Sequence, residues 1–228
     1  MLTLLWITGI LLILLPQLWV KGILNKYSRQ PSSIGRTGHE IAREILNRNG
    51  LSNVSVESTN QGDHYDPRDK KVRLSKDFYY GTSLAAVTVA AHECGHAIQD
   101  AENYGFMRLR AAMAPVVQIC GFGPYLLMFS VMLMAILPFW KLTALAGLLM
   151  YIGIFTFQML TLPVELDASF ARAVPVLEGS GYISSDEKQK ANEILRACAF
   201  TYVAAALYSL IEIVRWALIL FTSRNSRD

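Results

Sequence analysis

The chain has 228 residues, of which 53% are hydrophobic and only 17% are charged, and its net charge is +3. This composition is too apolar for an ordinary soluble domain of this length, so it indicates a membrane protein. The small positive charge indicates no more than attraction to an anionic lipid surface. Because no internal repeat and no nucleic-acid-binding motif is visible, nucleic acid is not expected as a partner.

Four apolar runs are long enough to cross a bilayer as helices, and they cover residues 2–20, 113–140, 142–164 and 197–221. The first run has no basic leading segment and no small-residue cleavage site, so we expect a retained anchor rather than a signal peptide. The last run contains Glu212 and Arg215, three residues apart on one helix face. We interpret them as an ion pair that locks the helices; a transport path is the alternative.

The distribution of lysine and arginine near the run ends predicts the orientation in the membrane. The connections on one side carry Lys21, Lys26, Arg29, Arg108, Arg110, Arg172, Lys188, Lys190 and Arg196, whereas the connection between the second and third runs has only Lys141. We therefore expect a multi-pass protein of the cell membrane with its larger connections in the cytoplasm. The three cysteines, Cys94, Cys120 and Cys198, have no obvious disulfide partners, which suits a reducing compartment.

The first two runs are separated by about ninety residues, enough for a small α+β domain that leans on the membrane for part of its burial. A capping box from Thr37 to Glu40 predicts a helix that ends at Asn49-Gly50. Residues 54–56 and 72–74 alternate as short strands do.

These patterns predict a mainly α protein with a small β-sheet. We expect residues 72–75 to form an edge strand that can pair with an extended substrate. A second capping box begins at Ser184 and ends at Glu187, and it predicts a helix that continues into the fourth run.

Residues 92–96 read His-Glu-Cys-Gly-His, the H-E-x-x-H pattern of a zinc peptidase helix. On an α-helix, residues four apart share a face, so His92 and His96 can reach one tetrahedral Zn²⁺ with Glu93 beside the water that it activates. The uncharged flanks favour a buried helix that Thr82 or Ser83 caps. A core helix with two hydrogen-bonded histidines is the alternative.

A catalytic zinc site needs a third protein ligand and keeps its fourth position for water. Glu165 is the strongest candidate, because it follows the third apolar run at the predicted membrane surface, where a carboxylate needs a partner. A solvated carboxylate at a helix start is the alternative. His39 and His64 are weaker candidates, since such histidines are more often surface or supporting residues.

Several further segments match one family pattern: Asp63-His64-Tyr65-Asp66-Pro67, Val72-Arg73-Leu74-Ser75, and residues 90–99, 163–169 and 201–205. On these segments the chain resembles the YugP-type membrane zinc metallopeptidases over nearly its whole length. Its layout is also similar to that of membrane gluzincins of the HtpX and CAAX-protease kind, in which a glutamate on a later helix completes the zinc site. The resemblance implies Zn²⁺ as cofactor, with His92, His96 and Glu165 as ligands.

The resemblance also bears on the groups that support the imidazoles. In those relatives an aspartate usually lies four residues after the ligand glutamate, where this chain has Ser169. Asp167 is then a candidate for that role. Asp100, one turn beyond His96, is either a second supporting acid or a solvated helix end.

The predicted reaction is peptide-bond hydrolysis by a zinc-activated water, with Glu93 as general base. His64, Tyr65 and Arg172 are the candidate donors to the oxyanion. For His64 and Tyr65, stabilisation of a local turn and strand is equally plausible. Arg172 is more often a partner for an aspartate or a lipid phosphate.

We thus expect a transmembrane helix in residues 1–20, a metallopeptidase domain in 21–112, two transmembrane helices in 113–164, a segment with the third ligand in 165–196, and a fourth transmembrane helix with a tail in 197–228. A site at the membrane surface favours membrane or membrane-proximal proteins as substrates. The alternative function is a catalytically silent zinc-containing scaffold that binds a protein partner.

Overall fold

The structure is a computed structural model that describes residues 2–134 and 139–222, and it is mostly helical. The α-helices are α1 (Leu2–Ser28), α2 (Gly38–Arg48), α3 (Lys76–Tyr79), α4 (Leu84–Ala101), α5 (Gly105–Cys120), α6 (Gly123–Met134), α7 (Trp140–Leu166), α8 (Val174–Gly179) and α9 (Ser185–Thr222). A π-helical segment, Asp167–Ala173, joins α7 to α8. The strands are β1 (Ser55–Thr59), β2 (His64–Asp66) and β3 (Lys71–Ser75).

Among the described residues, four helical stretches are long and apolar enough to cross a membrane: Thr3–Ser28, Gly105–Leu133, Trp140–Gly179 and Ser185–Thr222. Each overlaps one of the four predicted runs, so the prediction of four spans of this kind is confirmed at the level of length and composition. Residues 135–138 of the second predicted run lie outside the described residues.

The chain forms two compact units. The first contains residues 1–16, 109–162 and 201–228, and the second contains residues 17–108 and 163–200. Within the first unit, Arg215 Nε donates to Glu212 Oε1 at 3.1 Å, and Glu212 is buried. This is the local ion pair that the sequence predicted.

The second unit contains the sheet and every candidate site residue. Its core forms where the apolar face of α2, with Ile41 and Ile45, and the inner face of β3, with Val72 and Leu74, are buried together with α4. Side chains on a strand alternate between faces, so Arg73 lies on the other face of β3.

The sheet has the order β1-β3-β2, with β1 parallel and β2 antiparallel to β3. The expectation that residues 72–75 form an edge strand is therefore wrong, because β3 is the central strand. Strand β2 was not predicted, because it has only three residues and Pro67 follows it directly. Pairing of Asp66 with Lys71 and of His64 with Arg73 covers the second side of β3.

The three predicted helix starts are confirmed by their hydrogen bonds. Thr37 Oγ1 accepts from the Glu40 backbone N–H while the Glu40 carboxylate accepts from the Thr37 N–H. Ser83 Oγ accepts from Ala86 N–H at the start of α4. Ser184 and Glu187 form the second capping box, and α9 then continues without interruption through the fourth predicted run.

Candidate metal centre

Two imidazoles and one carboxylate lie close together within the second unit. His92 and His96 lie one turn apart on α4, and their ring centroids are 4.7 Å apart at an interplanar angle of 77°. Glu165, near the end of α7, is 2% exposed. Its Oε2 lies 3.4 Å from His92 Nε2 and 3.5 Å from His96 Nε2.

These distances allow a test of whether zinc fits. Zinc binds histidine nitrogen and carboxylate oxygen at about 2.0–2.2 Å, so neighbouring ligand atoms of a tetrahedral site are about 3.3–3.6 Å apart. The two nitrogen-to-oxygen distances match that separation, and one ligand atom from each of the three residues lies within 4.8 Å of the others. The donor set of two imidazoles and one carboxylate also suits Zn²⁺. The residues present therefore fit the ion.

Glu93 lies between the two histidines in sequence and is 6% exposed. Burial raises the pKa of Glu93, while the neighbouring charges of His92 and His96 act in the opposite direction. A carboxylate with a raised pKa beside a metal position can accept a proton and return it.

Gly95 permits the close approach of α4 to the π-helical segment. A Cβ atom at residue 95 would lie 2.7 Å from the Ala168 carbonyl oxygen. Since the segment begins directly after Leu166, this approach also brings Glu165 to the two histidines. π-Helical turns inside longer helices occur frequently at functional sites.

The two imidazoles have the same orientation with respect to Glu165 and to their supporting side chains. Both Nε2 atoms face Glu165, and both Nδ1 atoms face supporting side chains. His92 Nδ1 is 3.1 Å from Ser169 Oγ, and His96 Nδ1 is 2.9 Å from Gln99 Oε1. This arrangement leaves the Nε2 lone pairs for a metal ion.

The support of His92 corrects the expectation for Asp167: Ser169 itself contacts His92 through its hydroxyl group. Asp167 does not replace it, because its Oδ2 instead accepts from Gln99 Nε2 at 2.8 Å. Gln99 was missed as a candidate. Its signal in the sequence is the spacing of three residues from His96 on one helix, which places the two side chains on neighbouring positions of one face.

Arg172 lies beside this network and bridges two carboxylates. Its Nε donates to Asp167 at 2.5 Å, and its Nη1 donates to Glu102 at 2.7 Å. Its guanidinium also lies 5.8 Å from the ring centroid of Tyr104. Because Glu102 follows α4 directly, Arg172 ties the C-terminal end of that helix to the π-helical segment.

The other candidate side chains take different positions. Tyr65 donates its hydroxyl to Asp100 Oδ2 at 2.6 Å, and burial together with this hydrogen bond raises the pKa of Tyr65. Asp100 also accepts from Lys70. His64 Nδ1 lies 2.9 Å from the Gly62 carbonyl oxygen, and strand alternation places His64 on the face opposite Tyr65.

His39, the other candidate for a third ligand, stacks on Tyr79, with ring centroids 4.6 Å apart. His64, Tyr65 and Arg172 do not form one cluster of donors by their hydrogen bonds. The structure thus brings together His92, His96 and Glu165, with Gln99 and Ser169 as support for the two imidazoles. Glu93 is buried next to His92 in the chain.

These features define a mostly helical protein with a candidate metal centre and, in the part of the chain that the structure describes, four helices long and apolar enough to cross a membrane. The family model described as "Putative neutral zinc metallopeptidase" matches residues 2–221. The "Putative membrane protease YugP" of Bacillus subtilis (strain 168) is 42% identical over 212 residues, which cover 92% of each chain. The chain belongs to this zinc metallopeptidase family. No solved structure matches it.

Proposed function

We propose that the protein is a membrane-embedded zinc metalloendopeptidase of the gluzincin kind. The observation that carries this proposal is the convergence of His92, His96 and Glu165 around one position, with the buried Glu93 beside two of them. Three protein ligands leave a fourth position for water or substrate, as in catalytic zinc sites, whereas structural sites usually have four protein ligands. A glutamate from a later helix as third ligand is the gluzincin arrangement.

In the proposed reaction, the two Nε2 atoms and the Glu165 carboxylate would hold the ion, which would supply Lewis acidity for the substrate carbonyl and for a water molecule. Glu93 removes a proton from that water and later delivers it to the leaving amine. Its burial suits this role, because a carboxylate with a raised pKa exchanges protons more readily near neutral pH.

The oxyanion donor is proposed from the three earlier candidates. Tyr65 is on the sheet face that packs toward α4, and its hydroxyl could donate to the oxyanion by exchanging its present acceptor, Asp100. Arg172 contacts two carboxylates, which supports a positioning role for Arg172 rather than a role at the oxyanion. His64 lies on the sheet face opposite Tyr65, which weighs against His64 as the donor. We therefore place Tyr65 first for substitution to phenylalanine.

We also propose that the second unit faces the cytoplasm and that the substrates are membrane or membrane-proximal proteins. The support is the charge distribution of the connections and the position of Glu165 at the end of an apolar helix. If an extended substrate pairs with the sheet, the available edge is β2 or β1 rather than β3.

The deciding experiment measures zinc content and proteolysis of casein and of a membrane-protein substrate in detergent, for the unchanged protein and for Glu93→Gln. We expect both to hold one zinc and only the unchanged protein to cut. The matched control is Glu178→Gln, an exposed carboxylate on α8, which should retain activity. If both proteins hold zinc and neither cuts any substrate, the zinc-containing scaffold becomes the better description.

A further inference from the structure

We propose that Gln99 is a positioning residue that fixes the orientation and the protonated ring nitrogen of His96. Gln99 is fully buried and lies one turn beyond His96 on α4. The inference rests on the proposed function in one respect only, that the ion held by His92, His96 and Glu165 is zinc.

The hydrogen bonds of Gln99 determine which way its amide points. Its amide nitrogen has two partners, the Val164 carbonyl oxygen and Asp167 Oδ2, each at 2.8 Å. A carbonyl oxygen and an ionised carboxylate can only accept hydrogen bonds, so the NH₂ group of Gln99 must face them. Its Oε1 therefore faces His96 Nδ1 at 2.9 Å.

This orientation of the Gln99 amide determines which ring nitrogen of His96 carries the proton. Because an amide oxygen only accepts, His96 must donate from Nδ1, and its neutral form then has the lone pair on Nε2. That atom is the one 3.5 Å from Glu165 Oε2, on the side where the ion would lie. Gln99 thus stabilises the form of His96 that binds metal through Nε2.

The two histidines differ in this respect. Ser169 Oγ, the partner of His92 Nδ1, is a hydroxyl that can donate or accept, so it does not select a tautomer. Gln99 selects one tautomer of His96 because its NH₂ group donates to two acceptors and leaves only its oxygen to face the imidazole. Asp167 is held in turn by Arg172, so an ordered chain of hydrogen bonds connects His96 to Glu102.

The test compares zinc affinity, measured by competition with a chelator, for the unchanged protein and for Gln99→Leu and Gln99→Glu. Leucine removes the acceptor and both donors, whereas glutamate keeps an acceptor but faces the Asp167 carboxylate and the Val164 carbonyl oxygen. We expect both changes to weaken zinc binding by about 10–100-fold. The control Gln189→Leu changes an exposed glutamine on α9 and should leave the affinity within twofold.

A paired substitution separates positioning from loss of packing. In Gln99→Glu with Asp167→Asn, the new amide can donate to the new carboxylate, which can still accept from His96. Zinc affinity should therefore recover part of the loss, although the Val164 carbonyl oxygen still faces an acceptor. The second readout is the ring N–H of His96 in zinc-loaded, ¹⁵N-histidine-labelled protein. It should exchange slowly with water in the unchanged protein and rapidly in Gln99→Leu, while the His92 signal is retained.

Recovery in the paired variant supports the proposal even if Gln99→Leu does not fold. Zinc affinity within twofold of the unchanged protein in Gln99→Glu, with an unaltered His96 signal, would overturn it, and so would the absence of recovery in the pair. An unchanged protein that binds zinc but cuts nothing would contradict the proposed peptidase activity and would leave the Gln99 result to be judged by affinity alone.

Discussion

Gly95 and Ala168 are so close that a Cβ atom at residue 95 would lie 2.7 Å from the Ala168 carbonyl oxygen. This contact joins the helix that bears both histidines to the segment that follows Glu165. The nearest obstacle is backbone rather than a flexible side-chain end, so the two elements would have to move apart to accept a larger residue. The geometry of the metal position therefore depends on a glycine that binds nothing itself.

The change Gly95→Ala should separate α4 from the π-helical segment and weaken zinc binding, because Glu165 moves with that segment. The overpacking should cost about 1–3 kcal/mol of stability. Thermal unfolding in detergent and chelator competition measure the two effects. The matched control is Gly22→Ala, a helical glycine where an added Cβ would meet no packing neighbour within 4 Å beyond its own stretch of helix, so the change should be neutral or slightly stabilising. Unchanged zinc affinity in Gly95→Ala would show that the contact is not needed.

The change Glu165→Gln tests the third ligand. It removes the negative charge but nearly preserves the volume of a side chain that is 2% exposed. We expect zinc affinity to fall by more than the roughly 10–100-fold that loss of a supporting group causes. Zinc content after dialysis measures this, and Glu193→Gln on α9 is the control. Retention of one tightly bound zinc in Glu165→Gln would remove Glu165 from the ligand set.

Substitution of Arg172 distinguishes a positioning role from a role at the oxyanion. Arg172→Gln should cost about 1–3 kcal/mol of stability, because hydrogen bonds to both Asp167 and Glu102 are lost. Zinc affinity should fall with it. Arg172→Lys should restore little of the lost stability, because one ammonium nitrogen cannot occupy the positions of both Nε and Nη1.

A loss of activity alone would contradict the positioning role of Arg172. If Arg172 acts on the oxyanion, kcat should fall in Arg172→Gln while zinc affinity and the melting temperature stay unchanged.

The acid stability of the second unit should depend on Glu44. The hydrogen bond from the Arg36 guanidinium lowers the pKa of Glu44 to about 2. A carboxyl group whose pKa is lower in the folded state stabilises the fold above its unfolded pKa of about 4.5, and that stabilisation is lost as pH falls toward 2. The melting temperature followed by circular dichroism should therefore decrease over this range, and less steeply in Glu44→Gln. Parallel curves for the two proteins would contradict the assignment.

The orientation can be tested by labelling a cysteine introduced at Asn53, an exposed position between α2 and β1. If the second unit is cytoplasmic, a membrane-impermeant maleimide should label Asn53→Cys in cells only after permeabilisation. The unchanged protein is the control, since Cys94 and Cys120 are buried and Cys198 is half-buried. Labelling of intact cells would place this unit outside.

Local patterns in the sequence were sufficient for several features. The helix that carries His92 and His96, its cap at Thr82 or Ser83, and the capping boxes at Thr37 and Ser184 were all predicted, because each depends on residues within one or two helical turns. The apolar runs were predicted for the same reason, since length and composition decide whether a helix can cross a bilayer. The spacing of the two histidines also predicted the shared helix face on which both approach Glu165.

Only the tertiary structure decided how distant segments meet. Glu165 reaches His92 across more than seventy residues because Gly95 lets backbone pack on backbone, a contact that no periodicity encodes. The central position of β3 depends on pairing with β2, whose three residues are too few to show alternation. The role of Gln99 depends on an amide held between α4 and the end of α7, so its partners are known only once those helices are packed.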